Sequence, residues 1–163
     1  MVSIDLVTLD GLRERRPFTV AGISRRFDDS NKHDIPKLWE KLFTFMPIRG
    51  AIGNGESFGV EWGAGSDGFH YMAAVEVDPK SAVPAGLERK EVPANRYVVF
   101  RLTLDGGPLH EQMEQAVPEI WMTRMPASGH RLSKDPDFEF YPADFAPTKK
   151  GAVIEFWLPV AAS

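Results

Sequence analysis

The most constraining feature of the sequence is an order of elements, strand, helix, strand, strand, that it predicts twice. Alternating apolar residues between turn signals predict three strands in each half. These strands are at 18–24, 58–62 and 69–77 in the first half, and at 96–102, 138–141 and 152–160 in the second. The helical stretches start about 75 residues apart, a period that indicates internal duplication rather than a short-repeat array.

Each half contributes one amphipathic helix, because apolar residues recur there at i, i+3, i+4 and i+7. In the first half these residues are Ile35, Leu38, Trp39, Leu42, Phe43 and Met46. Of these, Trp39 and Phe43 are predicted to lie in the core. In the second half they are Leu109, Met113, Ala116, Val117 and Ile120. Pro118 lies within the second stripe and is predicted to kink or split that helix.

Two such units predict an α+β fold. They would form an antiparallel sheet with both helices on one face and the halves related by a pseudo-twofold axis, leaving a ligand groove between them. The first half spans about 1–80 and the second about 88–163, joined by a Pro- and Gly-containing segment at 78–87. We expect the chain, 1–163, to form a single domain of ordinary size.

Composition excludes several classes of protein. The chain has 163 residues and no cysteine, so disulfides, a cysteine nucleophile and thiolate metal sites are excluded. With 23 Asp and Glu against 19 Lys and Arg, no broad nucleic-acid surface is expected. No apolar run of about 18 residues exists, and residues 1–5 lack the start of a signal peptide. We therefore expect a cytoplasmic protein with no membrane partner.

Motifs for common catalytic and cofactor sites are incomplete. The stretch 110–114 begins like a zinc-protease helix, but Glu114 stands where the second histidine is needed. The glycine-rich stretch 50–55 lacks the Lys-Ser/Thr of a phosphate loop, and no Gly-x-Ser-x-Gly elbow occurs. We therefore expect no metal and no cofactor, and the sequence favours a binding protein over an enzyme.

The stretch Phe138-Glu139-Phe140-Tyr141 is the most informative short segment. Its period of two sends the phenylalanines to one face and Glu139 and Tyr141 to the other. We expect the phenylalanines to pack on the helices together with Ile154, Phe156 and Leu158. In that arrangement Glu139 and Tyr141 face away from the helical core, with Glu155 and Trp157. Carboxylates among aromatic rings suit an organic cation, although the same alternation is typical of a solvated sheet face.

Two residues near the end of the second helix stand out. Trp121 lies at the edge of the apolar stripe, where it could border a pocket. Arg124 returns to the apolar face, so it either extends along the stripe or pairs with a carboxylate in the groove.

Several short segments together carry a family resemblance. They are 58–60 (Phe-Gly-Val), 93–100 (PANRYVVF), 125–130 (MPASGH), 135–141 (DPDFEFY) and 158–160 (LPV). In this order and spacing the sequence resembles the GyrI-like small-molecule-binding domain, which is also the effector-binding domain of AraC-type and MerR-type multidrug regulators. The resemblance covers nearly the whole chain and is best from about residue 90.

This resemblance implies two strand-helix-strand-strand units around a groove, in agreement with the order of elements above. It also implies that Glu139 is the central acid that meets cationic aromatic ligands, and that Tyr141 is the tyrosine following it. Relatives usually carry Trp before a Leu-Pro that ends the second helix. Here Met125-Pro126 is preceded by Arg124, with Trp121 one turn earlier. A cation beside Glu139 would either weaken the preference for cationic ligands or make the site receive a zwitterionic or anionic one.

The candidate ligand-binding residues are Glu139, Tyr141, Trp121, Gly59, Tyr71 and Met72. Which face of strand 69–77 lines the groove is left open. Tyr71 belongs to the more apolar face, with Phe69, Ala73 and Val75, and could still reach the seam. Met72 belongs to the opposite face.

The leading hypothesis is a stand-alone protein that binds lipophilic, cationic, aromatic small molecules around Glu139. Residues 1–17 are too few for a helix-turn-helix, so direct DNA binding is not expected. Two alternatives remain. One is a hydrolase of reactive small molecules that uses the same Glu139. The other is a regulator with a basic protein partner, such as a DNA gyrase inhibitor.

Overall fold

The structure, a computed structural model, describes residues 7–162. Its strands are β1 (Val7–Arg15), β2 (Phe18–Phe27), β3 (Ser57–Gly65), β4 (Gly68–Val77), β5 (Glu88–Val92), β6 (Asn95–Thr103), β7 (Asp137–Tyr141) and β8 (Val153–Pro159). Its helices are α1 (Ile35–Phe43), α2 (Leu109–Pro118) and the short α3 (Met125–Ala127). The expectation for residues 1–5 lies outside the described residues. No helix within 7–162 has the length and apolar character to cross a membrane.

The eight strands form one antiparallel sheet in the order β1-β6-β8-β7-β3-β4-β2-β5. Outward from the centre the first half runs β3-β4-β2 and the second β7-β8-β6, so the halves repeat one arrangement. The predicted α+β fold with two strand-helix-strand-strand units is confirmed. The central pair, β3 and β7, joins the halves.

Strands β1 and β5, which the sequence patterns missed, each pair with the far half of the chain. β1 pairs with β6 and β2 with β5, and the register is unbroken from Arg15↔Asn95 to Phe18↔Val92. Both connections at this point contain a proline, Pro17 and Pro93, which has no N–H for the ladder. Arg15 at the end of the edge strand β1 and Phe18 of β2, the neighbour of the other edge strand β5, are three residues apart in the chain, a span of about 10 Å. The sheet is therefore strongly curved.

Apolar residues form a core on each face of the curved sheet. On the helix face, Leu38 and Leu42 of α1 pack on β2 and β4, while Ala116 and Ile120 pack on β6 and β8. On the opposite face the strands alone enclose a third core, which we call the strand core. Its buried members are Phe18, Val20, Phe58, Val60, Met72, Ala74, Val92, Tyr97, Val99 and Phe138.

The helices differ from their sequence patterns in length and regularity. Helix α1 ends at Phe43, which is 57% exposed, whereas its neighbour Leu42 is fully buried against the sheet. The expectation that Phe43 lies in the core was wrong. At Pro118 α2 gives way directly to a π-helical segment, Glu119–Arg124, so the regular α-helix ends where a kink or split was predicted, but the helical path continues. Proline lacks the N–H that the α-helical ladder needs, which accounts for the change.

The expected orientation of β7 was also wrong. Phe138 lies in the strand core with Phe140 and Trp157 packed near it, whereas Ile154, Phe156 and Leu158 of β8 do face the helices. The reason is the register, which pairs Phe138 with Trp157 and Glu139 with Phe156. Directly opposed residues of an antiparallel pair share a face. Glu139 therefore lies on the helix side of the sheet.

Candidate functional site

A line of polar residues lies on the helix face of the two central strands. Gly59 is opposite both Glu139 of β7 and Ala73 of β4, and Ala73 belongs to the core under α1. The alternation of a strand puts every second neighbour on the same face. We call this set the seam floor: Ser57, Gly59 and Glu61 of β3, with Asp137, Glu139 and Tyr141 of β7.

Glu139 is held at the centre of the seam floor by two tyrosines. Its side chain is 8% exposed, and the hydroxyls of Tyr71 and Tyr141 each donate a hydrogen bond of 2.8 Å to its Oε1. Within residues 7–162, no hydrogen bond is donated to the other oxygen, Oε2. Trp39 Nε1 donates a hydrogen bond to the Tyr71 hydroxyl at 3.0 Å. The rings of Trp39 and Tyr141 are arranged edge to face, with their centroids 5.3 Å apart. We call these four residues the Glu139 cluster.

Gly59 provides the space for this cluster. A Cβ atom at this position would lie 2.2 Å from the Tyr71 hydroxyl oxygen and 2.5 Å from Oε1 of Glu139. The backbone there does not require a glycine conformation, because its φ lies outside the left-handed region. The close approach of the two side chains is therefore what excludes any other residue.

Burial raises the pKa of all three titratable groups in the cluster, Glu139, Tyr71 and Tyr141. Burial raises the pKa of Glu139, while the two hydrogen bonds it accepts lower it. Burial, together with the negative charge of Glu139, raises the pKa of Tyr71 and of Tyr141 well above the ordinary value. Both hydroxyls therefore stay protonated and act as donors to the carboxylate.

A second pair of acids lies next to Glu139 on the seam floor. Glu61 and Asp137 are opposite each other, half-buried, and interact through their carboxyl groups. Burial and the charge of Glu139 raise the pKa of Asp137 to about 8, and burial with the charges of Asp137 and Glu139 raises that of Glu61 well above its ordinary value. Across residues 7–162, histidine, aspartate and glutamate side chains form no group suited to a metal ion.

The structure brings together four of the six candidate residues: Gly59, Tyr71, Glu139 and Tyr141. Trp121 packs beside the core under α2, and no hydrogen bond or ring contact in the described part of the chain joins it to the Glu139 cluster. Met72 lies on the opposite face of β4, inside the strand core and 1% exposed. The side of β4 that faces the seam is thus that of Tyr71.

Arg124 lies in the π-helical segment, where its Nε donates to Glu119 at 2.8 Å and its Nη1 to the carbonyl of Val7 at 3.1 Å. Of the two possibilities that the sequence left open, ion pairing is the observed one. The carboxylate concerned is Glu119 of the same helical segment rather than a seam-floor acid.

Sequence reasoning missed three residues of this region. Trp39 was interpreted as core, although its indole N–H was a signal that a buried tryptophan needs a partner. Asp137 continues the alternation of Glu139 and Tyr141, and Glu61 continues that of Gly59. Their shared face follows from period two, but their direct opposition depends on the register between β3 and β7.

Comparisons with known proteins place this arrangement in context. The family described as Cass2, integron-associated effector binding protein, matches residues 12–160. The transcriptional regulator BrlR of Pseudomonas aeruginosa is 29% identical over 152 residues, which cover 90% of this chain and 53% of the regulator. The chain thus spans about half the length of this curated relative.

Solved structures share the fold at low sequence identity. SAV2435 bound to tetraphenylphosphonium has a TM-score of 0.77 at 19% identity, covering 95% of this chain and 94% of that one. An integron cassette protein of Vibrio cholerae has a TM-score of 0.64 at 20% identity, over 95% and 99%. The C-terminal domain of EcmrR has a TM-score of 0.61 at 18% identity, over 97% and 99%.

Proposed function

The chain belongs to the Cass2 family of integron-associated effector-binding proteins, and we propose that residues 1–163 form one domain that binds a lipophilic, cationic, aromatic compound at Glu139. Family membership confirms the resemblance to effector-binding domains of multidrug regulators.

The observation that carries this proposal is the asymmetry of the Glu139 carboxylate. Both tyrosine hydroxyls donate to Oε1, so in the described structure Oε2 is left to meet a ligand. A buried carboxylate favours a partner that brings positive charge, because little solvent reaches it. A lipophilic cation fits better than a hydrated one, since it loses little hydration on entering an apolar seam.

Aromatic rings beside the carboxylate support the same ligand class. The faces of Trp39 and Tyr141 carry the negative quadrupole that attracts organic cations, and each ring adds apolar contact area. The bound cation of the similarly folded SAV2435 belongs to this class. Because Glu139 is 8% exposed, we propose that the ligand reaches Oε2 by displacing Trp39 from Tyr141.

Titration calorimetry with tetraphenylphosphonium tests the proposal. Glu139→Gln keeps the shape and the tyrosine hydrogen bonds but removes the charge, so we expect affinity to fall at least about tenfold. Glu155→Gln is the matched control, because Glu155 lies on the other face of the sheet, next to Trp157. Equal affinity in wild type and Glu139→Gln, with both proteins folded by circular dichroism, would contradict the assignment.

One observation favours a second candidate, a hydrolase of reactive small molecules. A carboxyl group whose pKa is raised by burial can act as a general acid or base near neutral pH. Turnover of an activated ester or epoxide that disappears in Glu139→Gln, while tetraphenylphosphonium binding by the wild type is weak, would favour catalysis over sequestration.

A further inference from the structure

The seam floor carries more acid than a single positive charge needs. Glu61 and Asp137 are opposed across β3 and β7, and Asp137 is two residues from Glu139 on the same strand face. At about 3.4 Å per residue, the pair lies about 7 Å along the strand from Glu139. Glu139 itself, more than nine-tenths buried, presents Oε2 without a described hydrogen bond on this same face.

We propose that Glu61 and Asp137 form a second anionic centre of the seam, which selects ligands carrying two positive charges about 7 Å apart and gives up a proton when such a ligand binds. This inference rests on the proposed function, since it takes Glu139 as the first anionic centre. It assigns the pair a role in specificity that the single-cation hypothesis does not require.

The surroundings of the pair leave its charge to be compensated from outside. Within the described residues, no ion pair joins Glu61 or Asp137 to an arginine or lysine. On the helix face, the titratable groups of the strands that interact with the pair are Glu139, Tyr71 and Tyr141. Tyr97 lies on the opposite face, in the strand core, where burial raises its pKa and the charge of Asp137 contributes to the increase. Cations on neighbouring elements pair with other acids. Arg15 of β1 pairs with Glu76 at 3.0 Å, Arg25 of β2 lies 3.6 Å from Asp34, and Arg124 pairs with Glu119.

In the absence of ligand both carboxyl groups hold a proton near neutral pH, since burial raises the pKa of each, and the proton of Asp137 is lost first, at about pH 8. A monocation is compensated by Glu139 and leaves this proton in place. The second charge of a dication replaces the proton, which passes to the solvent. Because the pKa of Asp137 is about 8 without ligand and falls when a cation binds, affinity for the dication should rise with pH up to about 8 and then level off.

Ethidium and propidium provide a matched pair of probes, because they share one phenanthridinium ring and propidium carries a second, quaternary ammonium charge. We would titrate the full chain with each dye by calorimetry at pH 6 and pH 8, in two buffers of different ionisation enthalpy. We expect propidium to bind at least tenfold more tightly than ethidium at pH 8 and to lose much of that preference at pH 6. At pH 8 propidium should release about half a proton more than ethidium, because a carboxyl group with a pKa of about 8 is half protonated there.

The double variant Glu61→Gln/Asp137→Asn should abolish the preference for propidium and its extra proton, while ethidium affinity changes less than about threefold. Glu111→Gln/Glu114→Gln on the exposed face of α2 makes the same change in net charge and should leave the preference intact. Asp137→Asn alone serves if the double variant does not fold. Equal affinities and proton counts for the two dyes in wild type would overturn the inference and leave the proposed function standing. Failure of both dyes and of tetraphenylphosphonium to bind would instead reject the proposed function, and the inference with it.

Discussion

The two faces of β3 and β7 differ in character: the helix face is acidic and the opposite face is aromatic and aliphatic. On the helix face, the seam floor presents three acids and a tyrosine around the space left by Gly59. On the other face, Phe58, Val60, Phe138 and Phe140 join the strand core. Along each strand these residues alternate strictly, so neither face could change its character without changing the other.

The difference between the faces shows where stability and where specificity originate. Burying carboxyl groups opposes folding, since they lose hydration that their partners replace only in part. Burying aromatic rings favours folding by about 25 cal/mol for each Å² of apolar surface. We infer that the packing of the strand core stabilises the pairing of β3 and β7 and so offsets the cost of burying the acids of the seam floor.

The sharpest test of this division is Phe138→Ala, for which we expect the largest loss of stability. The ring of Phe138 lies 5.3–5.6 Å from four others, those of Phe18, Phe58, Tyr97 and Trp157. Removing it leaves a cavity, so the free energy of unfolding should fall by about 3–5 kcal/mol in urea denaturation. A fall below about 1 kcal/mol would show that the strand core does not anchor the central strands.

On the seam face, Gly59→Ala should give an intermediate effect. The added methyl group meets the Tyr71 hydroxyl and Glu139, so we expect a loss of about 1–3 kcal/mol and weakened tetraphenylphosphonium binding. Gly65→Ala is the matched control on the same strand, because the nearest atom there, Oδ1 of Asp67, is 3.5 Å away. Equal losses of stability in the two variants would mean that Tyr71 and Glu139 move aside for the added methyl group at little cost in free energy.

The smallest expected effect compares two buried tyrosines, one on each face. The hydroxyl of Tyr97, in the strand core, is buried without a described hydrogen-bond partner, whereas that of Tyr71 accepts from Trp39 and donates to Glu139. Tyr97→Phe should therefore leave stability unchanged or raise it by about 1 kcal/mol, and Tyr71→Phe should lower it by about 1 kcal/mol. Thermal unfolding of both variants measures the difference. A destabilised Tyr97→Phe protein would indicate a partner for that hydroxyl.

Much of the architecture could be predicted from local patterns. Helical spacing from Ile35 and from Leu109 marked both helices, and period-two alternation marked six of the eight strands. Pro118 predicted the position at which the α-helical hydrogen bonds of α2 give way to the π-helical segment. The sequence patterns did not mark β1 and β5, because their sequences are largely polar and their pairing joins residues more than 60 positions apart.

The sequence by itself determined that Glu139 shares a face with Tyr141 and that Phe138 takes the other, because side chains of a strand alternate regardless of its neighbours. Only the tertiary structure decided which face meets the helices and which acids meet each other. Those outcomes depend on the pairing of Gly59 with Glu139 and of Phe138 with Trp157, and a slip of one residue would exchange the two faces. Register between distant strands is fixed by the packing of the whole sheet, so no local pattern contains it.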